Sequence, residues 1–547
     1  MSLSFATSDD TVASALAGFA RAHGATVRVS LDPAFVAAAD PAPTRRVALV
    51  SGGGSGHEPL HVGFVGRGGL DAAIPGQVFA SPHNRQIHAG ARAVARPGGV
   101  LFVVKNYTGD VINFGIAAER LRADGIEVET VLVDDDLATE SDTTATGRRG
   151  TGATVVVEKI LAAAADAGTY LPDLADLGRR VVAASRSIAV ASRAHTAPGG
   201  SGEPAFELPP DQLEYGVGIH GERAVATVDR RGSAEIVDRM VDDLLGRLPV
   251  TETGYAVLVN GLGSVTGLEM FSVLDRVARR LDERGIPLAA ALAGTYVAAL
   301  DMRGFSITFT ALEPEWVAFL AACTETPALP STEPVAPAPT VARAAAATPT
   351  VNQDPLLTTL QRLVAAAKPE LTRLDQVTGD GDFGDNLEAG VRAALADPAH
   401  RGLRAAEHAF LDDVGGSSGP LYGLVFQHLR RALDAATGVD ALRAGLSSAL
   451  AAVQRVGGAA PGDRTMVDAL HAAAQAPGSF ADVVRAAAVA AAATADLLPR
   501  RGRSSYVGER ALGTPDPGAM GIPLVLAAVV ATLDPDIEAA ELVAEWS

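Results

Sequence analysis

Apolar positions follow two different rhythms along this chain. Up to about residue 325, short β-branched runs end in glycine-rich or polar loops, and segments with helical spacing follow them. Arg46–Val50, Val100–Val104, Val128–Val133, Ser187–Ala191, Tyr255–Val259 and Phe305–Thr310 read as strands. Strands that alternate with helices predict an α/β fold, and in such folds the chemistry collects in loops beyond the strand ends. A break near Pro198–Pro210 predicts two α/β lobes, 1–195 and 196–325. Residues 326–352 carry six prolines among Ala and Thr with no apolar period, which predicts a semi-extended linker. Beyond it the strand signal fades. Leu356–Ala367, Ala405–Leu411, Val425–Ala436 and Ala441–Val456 place apolar residues at helical spacing among strong helix formers, predicting an all-α domain over 353–547.

The 547-residue length, 48% hydrophobic and 20% charged, fits a multidomain globular chain. A formal charge of −19 argues against nucleic acid and anionic membrane surfaces as partners, so any phosphorylated ligand needs backbone donors, a few placed cations or a metal. The one cysteine, Cys323, excludes an internal disulfide framework and a cysteine-based zinc site. Met1–Asp10 lacks the pattern of a signal peptide, and apolar stretches such as Ala481–Leu498 are diluted by alanine and charge. A cytoplasmic location is therefore expected.

Three clusters in the first half invite chemistry. Ser51-Gly-Gly-Gly-Ser-Gly-His-Glu-Pro59 follows a strand and lets backbone N–H groups approach a ligand closely, although a tight structural turn has the same look. It lacks the Gly-Lys-Ser/Thr of a P-loop, and its His57 suits acid/base work. Lys105-Asn-Tyr-Thr-Gly-Asp110 puts a lysine and an aspartate just past another strand, as a site or as a salt-bridged loop. In Gly216-Val-Gly-Ile-His-Gly-Glu222 the flanking glycines leave His220 accessible, as a nucleophile requires.

In the helical half, Asp375-Gln-Val-Thr-Gly-Asp-Gly-Asp-Phe-Gly-Asp-Asn-Leu387 has dinucleotide-like glycine spacing, but no strand precedes it and its aspartates would repel a pyrophosphate. An EF-hand fails on Gly384 and on the missing twelfth-position Glu. Asp375, Asp380 and Asp382 instead suit one or two Mg²⁺ ions that bridge to a nucleotide. Gly415–Pro420, Pro461–Met466, Gly502–Arg510 and Asp516–Ala519 add backbone donors and cations between helices, or serve as plain helix connections.

Taken in order, SGGGSGHEP, KNYTGDVINF, VDDDLA, GRRGTGATVVVEK, GVGIHGE, TGDGDFG, GGSSGPLYG, PGDRTM and GRSSYVGER…DPGAM resemble the ATP-dependent dihydroxyacetone kinases with both modules fused. The resemblance implies two α/β lobes for the ketone and an eight-helix barrel for ATP with two Mg²⁺ ions. It implies that His220 bonds covalently to the substrate carbonyl carbon as a hemiaminal, while His57 and Asp110 polarise and deprotonate the attacking hydroxyl. Gly53, Gly54 and Lys105 take substrate-contacting positions. Asp375, Asp380 and Asp382 take the metal positions. Phe383, Gly384, Asp385, Asn386, Ser417, Ser418, Gly457, Thr465, Met466, Arg503, Asp516, Pro517 and Gly518 take those around ATP. A homodimer is implied, with the ATP domain serving its own chain or its partner.

Several positions depart from the dihydroxyacetone-preferring pattern: Gly66–Gln77, Pro82–Arg85, Arg223 after Glu222, and Phe383 and Asp385 beside the metal loop. The first group lies near the ketone, which brings in four-carbon ketoses such as erythrulose or threulose. A cyclising FAD-AMP lyase activity is a further alternative. A non-catalytic, phosphocarrier-dependent binding protein is a third, opposed by the fused and complete metal triad.

Overall fold

A computed structural model describes residues 10–140, 147–196, 203–222, 226–230, 232–337 and 353–546. The chain divides into two compact units, 1–339 and 340–547, so the division falls inside the expected linker. The start of that linker is not loose: Leu329 is buried, and Ala328 N–H donates to Gly63 O at 2.8 Å. Residues 338–352 lie outside the described residues.

The first unit holds two six-stranded sheets. One contains β1 (Val27–Leu31), β2 (Ala34–Ala38), β3 (Ala48–Ser55), β4 (Ala72–Val78), β5 (Val100–Lys105) and β6 (Val128–Val133), in the order β1-β2-β4-β3-β5-β6. Strands β4, β3, β5 and β6 run parallel, and the hairpin β1-β2 adds an antiparallel edge. The other sheet is mixed: β7 (Ser185–Arg193), β8 (Gln212–Tyr215), β9 (Ala226–Asp229), β10 (Tyr255–Gly261), β11 (Leu288–Gly294) and β12 (Arg303–Ala311), ordered β11-β10-β12-β7-β8-β9. β7 pairs with β12 along its length, so the sheets divide before Ser185, ahead of the lobe boundary drawn at 195. The six strands read from the sequence are present; the short or alanine-rich β1, β2, β4, β8, β9 and β11 carry too weak an apolar signal to be read from it.

Helix Ala153–Asp166 is buried on nearly every side and touches strands of both sheets. Its apolar circumference is that of a core helix, yet it carries Glu158 and Lys159 into the interior. At its start, Asp135 accepts from Thr151 N–H at 2.7 Å, from the Thr151 hydroxyl at 2.8 Å and from Ala153 N–H at 3.0 Å. The middle aspartate of the Asp134–Asp136 run is thus a helix anchor.

The second unit is all helical among its described residues, with eight α-helices from Pro355–Thr378 to Pro517–Leu533. Consecutive helices pack together, and the last returns against the first, closing the ring. Leu356–Ala367 and Ala441–Val456 are present with longer ends, Val425–Ala436 starts earlier, at Ser418, and stops at Ala435, and Ala405–Leu411 is Gly402–His408 followed by one wide turn, Ala409–Asp413. No helix among the described residues is long and apolar enough to cross a membrane.

Candidate active site

The glycine run lies within β3 rather than after it. Gly52 faces Ile74 O so closely that a Cβ would stand 2.4 Å away, and a Cβ on Gly54 would meet Phe79 backbone at 2.8 Å. Only glycine lets these strands approach there. The run delivers His57, which is buried and donates from Nδ1 to Ala298 O at 2.7 Å. That bond leaves the lone pair on Nε2, which faces His220 Nε2 at 3.1 Å. Burial, with His220 and Lys105 nearby, holds the His57 ring well below its usual basicity. On the far side of His220, Nδ1 stands 3.4 Å from Glu222, whose other oxygen accepts from His220 N–H at 3.0 Å. Burial favours the neutral Glu222 acid, but His220, a backbone N–H and Arg149 together outweigh it and draw the carboxyl down to about 2. Phe79 and Tyr107 pack edge-on around His220, with ring centres 5.2 and 4.6 Å away.

Lys105 ends β5 and is fully buried, while Asp110 lies in the first turn of helix Thr108–Ala123. A Cβ on Gly53 would stand 2.5 Å from Lys105 Nζ and 3.6 Å from Asp110 Oδ2, so both groups converge on the space the glycine leaves open. Asp110 Oδ1 is buried without a hydrogen-bond partner. A buried acceptor of this kind is costly unless a ligand supplies the donor.

In the helical unit, Asp375, Asp380 and Asp382 each bring a carboxylate oxygen within 4.8 Å of the others. Asp375 is fixed by Phe383 N–H at 3.0 Å, and Gly379 makes room for it, since a Cβ there would meet its Oδ1 at 2.4 Å. An all-oxygen anionic donor set fits a hard divalent cation such as Mg²⁺. The triad opens on a cavity of about 230 Å³. Four helix starts line it: Asp382-Phe383, Ser417-Ser418, Thr465-Met466 and Asp516-Pro517. Helix N-termini converging on one space favour anions, and phosphate above all.

The Dak1 domain family matches residues 17–328, and the DAK2 domain family matches residues 377–531. The chain belongs to the dihydroxyacetone kinase family. Triokinase/FMN cyclase of Homo sapiens is 37% identical over 530 residues, covering 89% of this chain and 92% of that one. L-erythrulose 1-kinase of Mycolicibacterium smegmatis is 35% identical over 541 residues, covering 91% and 94%. The crystal structure of the dihydroxyacetone kinase from C. freundii in complex with AMP-PNP and Mg²⁺ has a TM-score of 0.61 at 30% identity, covering 95% of this chain and 98% of that one. As a member of this family the chain is a phosphotransferase.

Within the family frame, the structure brings His57, His220, Gly53, Gly54, Lys105 and Asp110 together in the first unit. In the second, Phe383, Asn386, Ser417, Ser418, Gly457, Thr465, Met466, Asp516, Pro517 and Gly518 line the same cavity as the three clustered aspartates. Two expected residues stand apart from it. Gly384 is buried against the first helix, where a Cβ would meet Thr372 Oγ1 at 2.5 Å, and Asp385 turns to Lys368 Nζ at 2.7 Å. Arg503 opens a one-turn segment, Arg503–Tyr506, and its side chain lies outside the described residues; Arg501, Gly502 and Ser504 line the cavity beside it. The sequence reading missed Phe79, Tyr107, Glu222 and Asn260. Asn260 holds the loop after β11 that carries the His57 acceptor Ala298, by accepting from Tyr296 N–H and Val297 N–H at 2.9 and 2.8 Å. It also missed His61 and Glu158, whose only signals were a second histidine four residues after His57 and a charge inside an apolar helix.

Proposed function

We propose that this chain is an ATP-dependent kinase for the terminal hydroxyl of a three- or four-carbon ketose, dihydroxyacetone or a ketotetrose such as erythrulose or threulose. The observation that carries the reading is the facing His57–His220 nitrogen pair beside the unpartnered carboxylate oxygen of Asp110. His57 Nε2 is the acceptor for the proton on His220 Nε2. His220 then attacks the carbonyl carbon, and the carbonyl oxygen takes that proton from His57, giving a hemiaminal. Glu222 balances the charge left on the substituted ring. Asp110 Oδ1 accepts the proton of the terminal hydroxyl as its oxygen bonds to the γ-phosphorus and the bond from that phosphorus to the β-phosphate oxygen breaks, releasing ADP. The Lys105 ammonium, in the same space, stabilises the negative charge that develops on the attacking oxygen.

Asp375, Asp380 and Asp382 would hold Mg²⁺, one or two ions, which neutralises phosphate charge when bound. The N–H groups at the four helix starts orient the phosphates. The functional unit in this reading is a cytoplasmic homodimer. The Phe79 and Tyr107 walls favour a short chain on His220. The deciding experiment is an ATP-coupled screen of three- and four-carbon ketoses, aldoses and glycerol, run with wild type and His220→Ala. Ketose turnover with glycerol excluded, and loss of that preference in the variant, support the reading. An unchanged preference for ketose over glycerol in the variant would sink the hemiaminal.

A second activity has its own support. The full-length relative from Homo sapiens is named for FMN cyclase as well as triokinase. Flavin-nucleotide cleavage to a cyclic phosphate at the helical unit is measured as manganese-dependent loss of FAD.

A further inference from the structure

Behind Lys105 lies a line of buried polar groups that the reaction above does not use. Lys105 Nζ is 2.6 Å from His61 Nε2, and His61 Nδ1 is 2.7 Å from Glu158 Oε1. Ser51 Oγ lies 2.9 Å from the same Nδ1 and donates to Val103 O at 2.7 Å. Glu158 is fully buried in the core helix, and its second oxygen has no partner. Two hydrogen-bond patterns satisfy this line. In one, the Lys105 ammonium donates to His61 Nε2, and Nδ1–H donates to the Glu158 carboxylate. In the other, the protonated Glu158 donates to Nδ1, and Nε2–H donates to the Lys105 amine. They differ by one proton moved from Nζ to Nε2 and one from Nδ1 to Oε1, with no change of net charge.

We propose that His61 and Glu158 are positioning residues for Lys105, a relay that ties the charge of the amine facing the ketose to the ionisation of a carboxyl in the core. The ionisable groups facing Lys105 are His61 from the loop after β3, Asp110 from helix Thr108–Ala123, Glu158 from helix Ala153–Asp166 and His57 across the pocket. Burial pulls the lysine below its usual range against the pull of Asp110 and Glu158. Burial likewise pushes the Glu158 carboxyl up to about 8, against the pull of Ser51 and Lys105. The two groups thus approach one another in proton affinity, as a relay requires. Losing the charge of Glu158 removes one of the two anions that favour the ammonium, so the lysine must titrate lower.

The chain contains three lysines, Lys105, Lys159 and Lys368, which makes the test direct. In the full-length protein labelled with ε-¹³C-lysine, Lys159→Arg and Lys368→Arg assign the Lys105 resonance, and its titration is followed in wild type and Glu158→Gln. The expected result is a Lys105 midpoint lowered by about one unit. The alkaline limb of ketose KM should move down with it, while KM for ATP stays unchanged. His61→Asn keeps the Glu158 charge but cuts the hydrogen-bonded line at its middle, so the Lys105 midpoint should still move from its wild-type position, and an unmoved midpoint decides against the relay if Glu158→Gln does not fold. Coincident Lys105 titrations in wild type and variant overturn the proposal. The alkaline-limb arm rests on the ketose-kinase reading, but the NMR titration does not: absence of ketose turnover in wild type would defeat that reading and leave the relay to the titration.

Discussion

Replacing Asp110 with Asn changes one atom at the point where the proposed proton transfer occurs. The side chain is 3% exposed, its Oδ1 has no protein donor, and Lys105 shares the space opened by Gly53. Asn keeps the shape and an acceptor oxygen but loses the negative charge and the capacity to take a proton. General-base catalysis contributes about 10²–10⁴ in rate, which at about 1.4 kcal/mol per tenfold is about 3–5 kcal/mol of transition-state stabilisation. The variant should therefore lose about two to four decades in kcat with the best ketose. The hemiaminal forms through His57 and His220, so ketose KM should change far less than kcat. Affinity for ATP, held in the other unit, should not change. The assay is ADP release coupled to NADH oxidation, with ketose and ATP varied separately. A kcat within tenfold of wild type would refute the role of Asp110 as the base.

Asp380→Asn should abolish Mg²⁺-dependent ATP turnover while ketose binding, followed by calorimetry, survives; normal turnover would remove Asp380 from the metal site. Glu222 gives a prediction in pH. Its folded carboxyl titrates near 2, below the ordinary 4.5, so the stability it contributes is complete above about 4.5 and is lost as pH falls toward 2. Glu222→Gln should flatten the fall in melting temperature over that window, and parallel wild-type and variant curves would show that the His220–Glu222 contact carries no stability.

The parts of the fold legible in the sequence are those with dense signals. β3, β5, β6, β7, β10 and β12 are β-branched and end at glycine or polar loops, and the long helices beyond residue 353 repeat alanine and leucine at helical spacing. β11, Leu-Ala-Ala-Ala-Leu-Ala-Gly, has none of that contrast and becomes a strand through its parallel pairing with β10. The residues legible at the site sit in glycine-rich motifs. Phe79, Tyr107 and Asn260 act through tertiary proximity, which spacing along the chain does not encode. Adjacency to the aspartate loop set Gly384 and Asp385 among the expected nucleotide positions, whereas the helix that starts at Phe383 turns them toward Thr372 and Lys368, a placement that spacing along the chain does not encode.

The central claim is that the ketose is held covalently on His220 while ATP phosphorylates it. Carbon-13 NMR of [2-¹³C]dihydroxyacetone, or of correspondingly labelled erythrulose, bound to the full-length protein tests it most directly. The account predicts that the labelled carbonyl carbon moves in wild type to the region of a tetrahedral carbon bearing oxygen and nitrogen, and that this signal is absent in His220→Ala. A bound ketose that keeps its ketone resonance in a wild-type protein that turns it over would contradict the account.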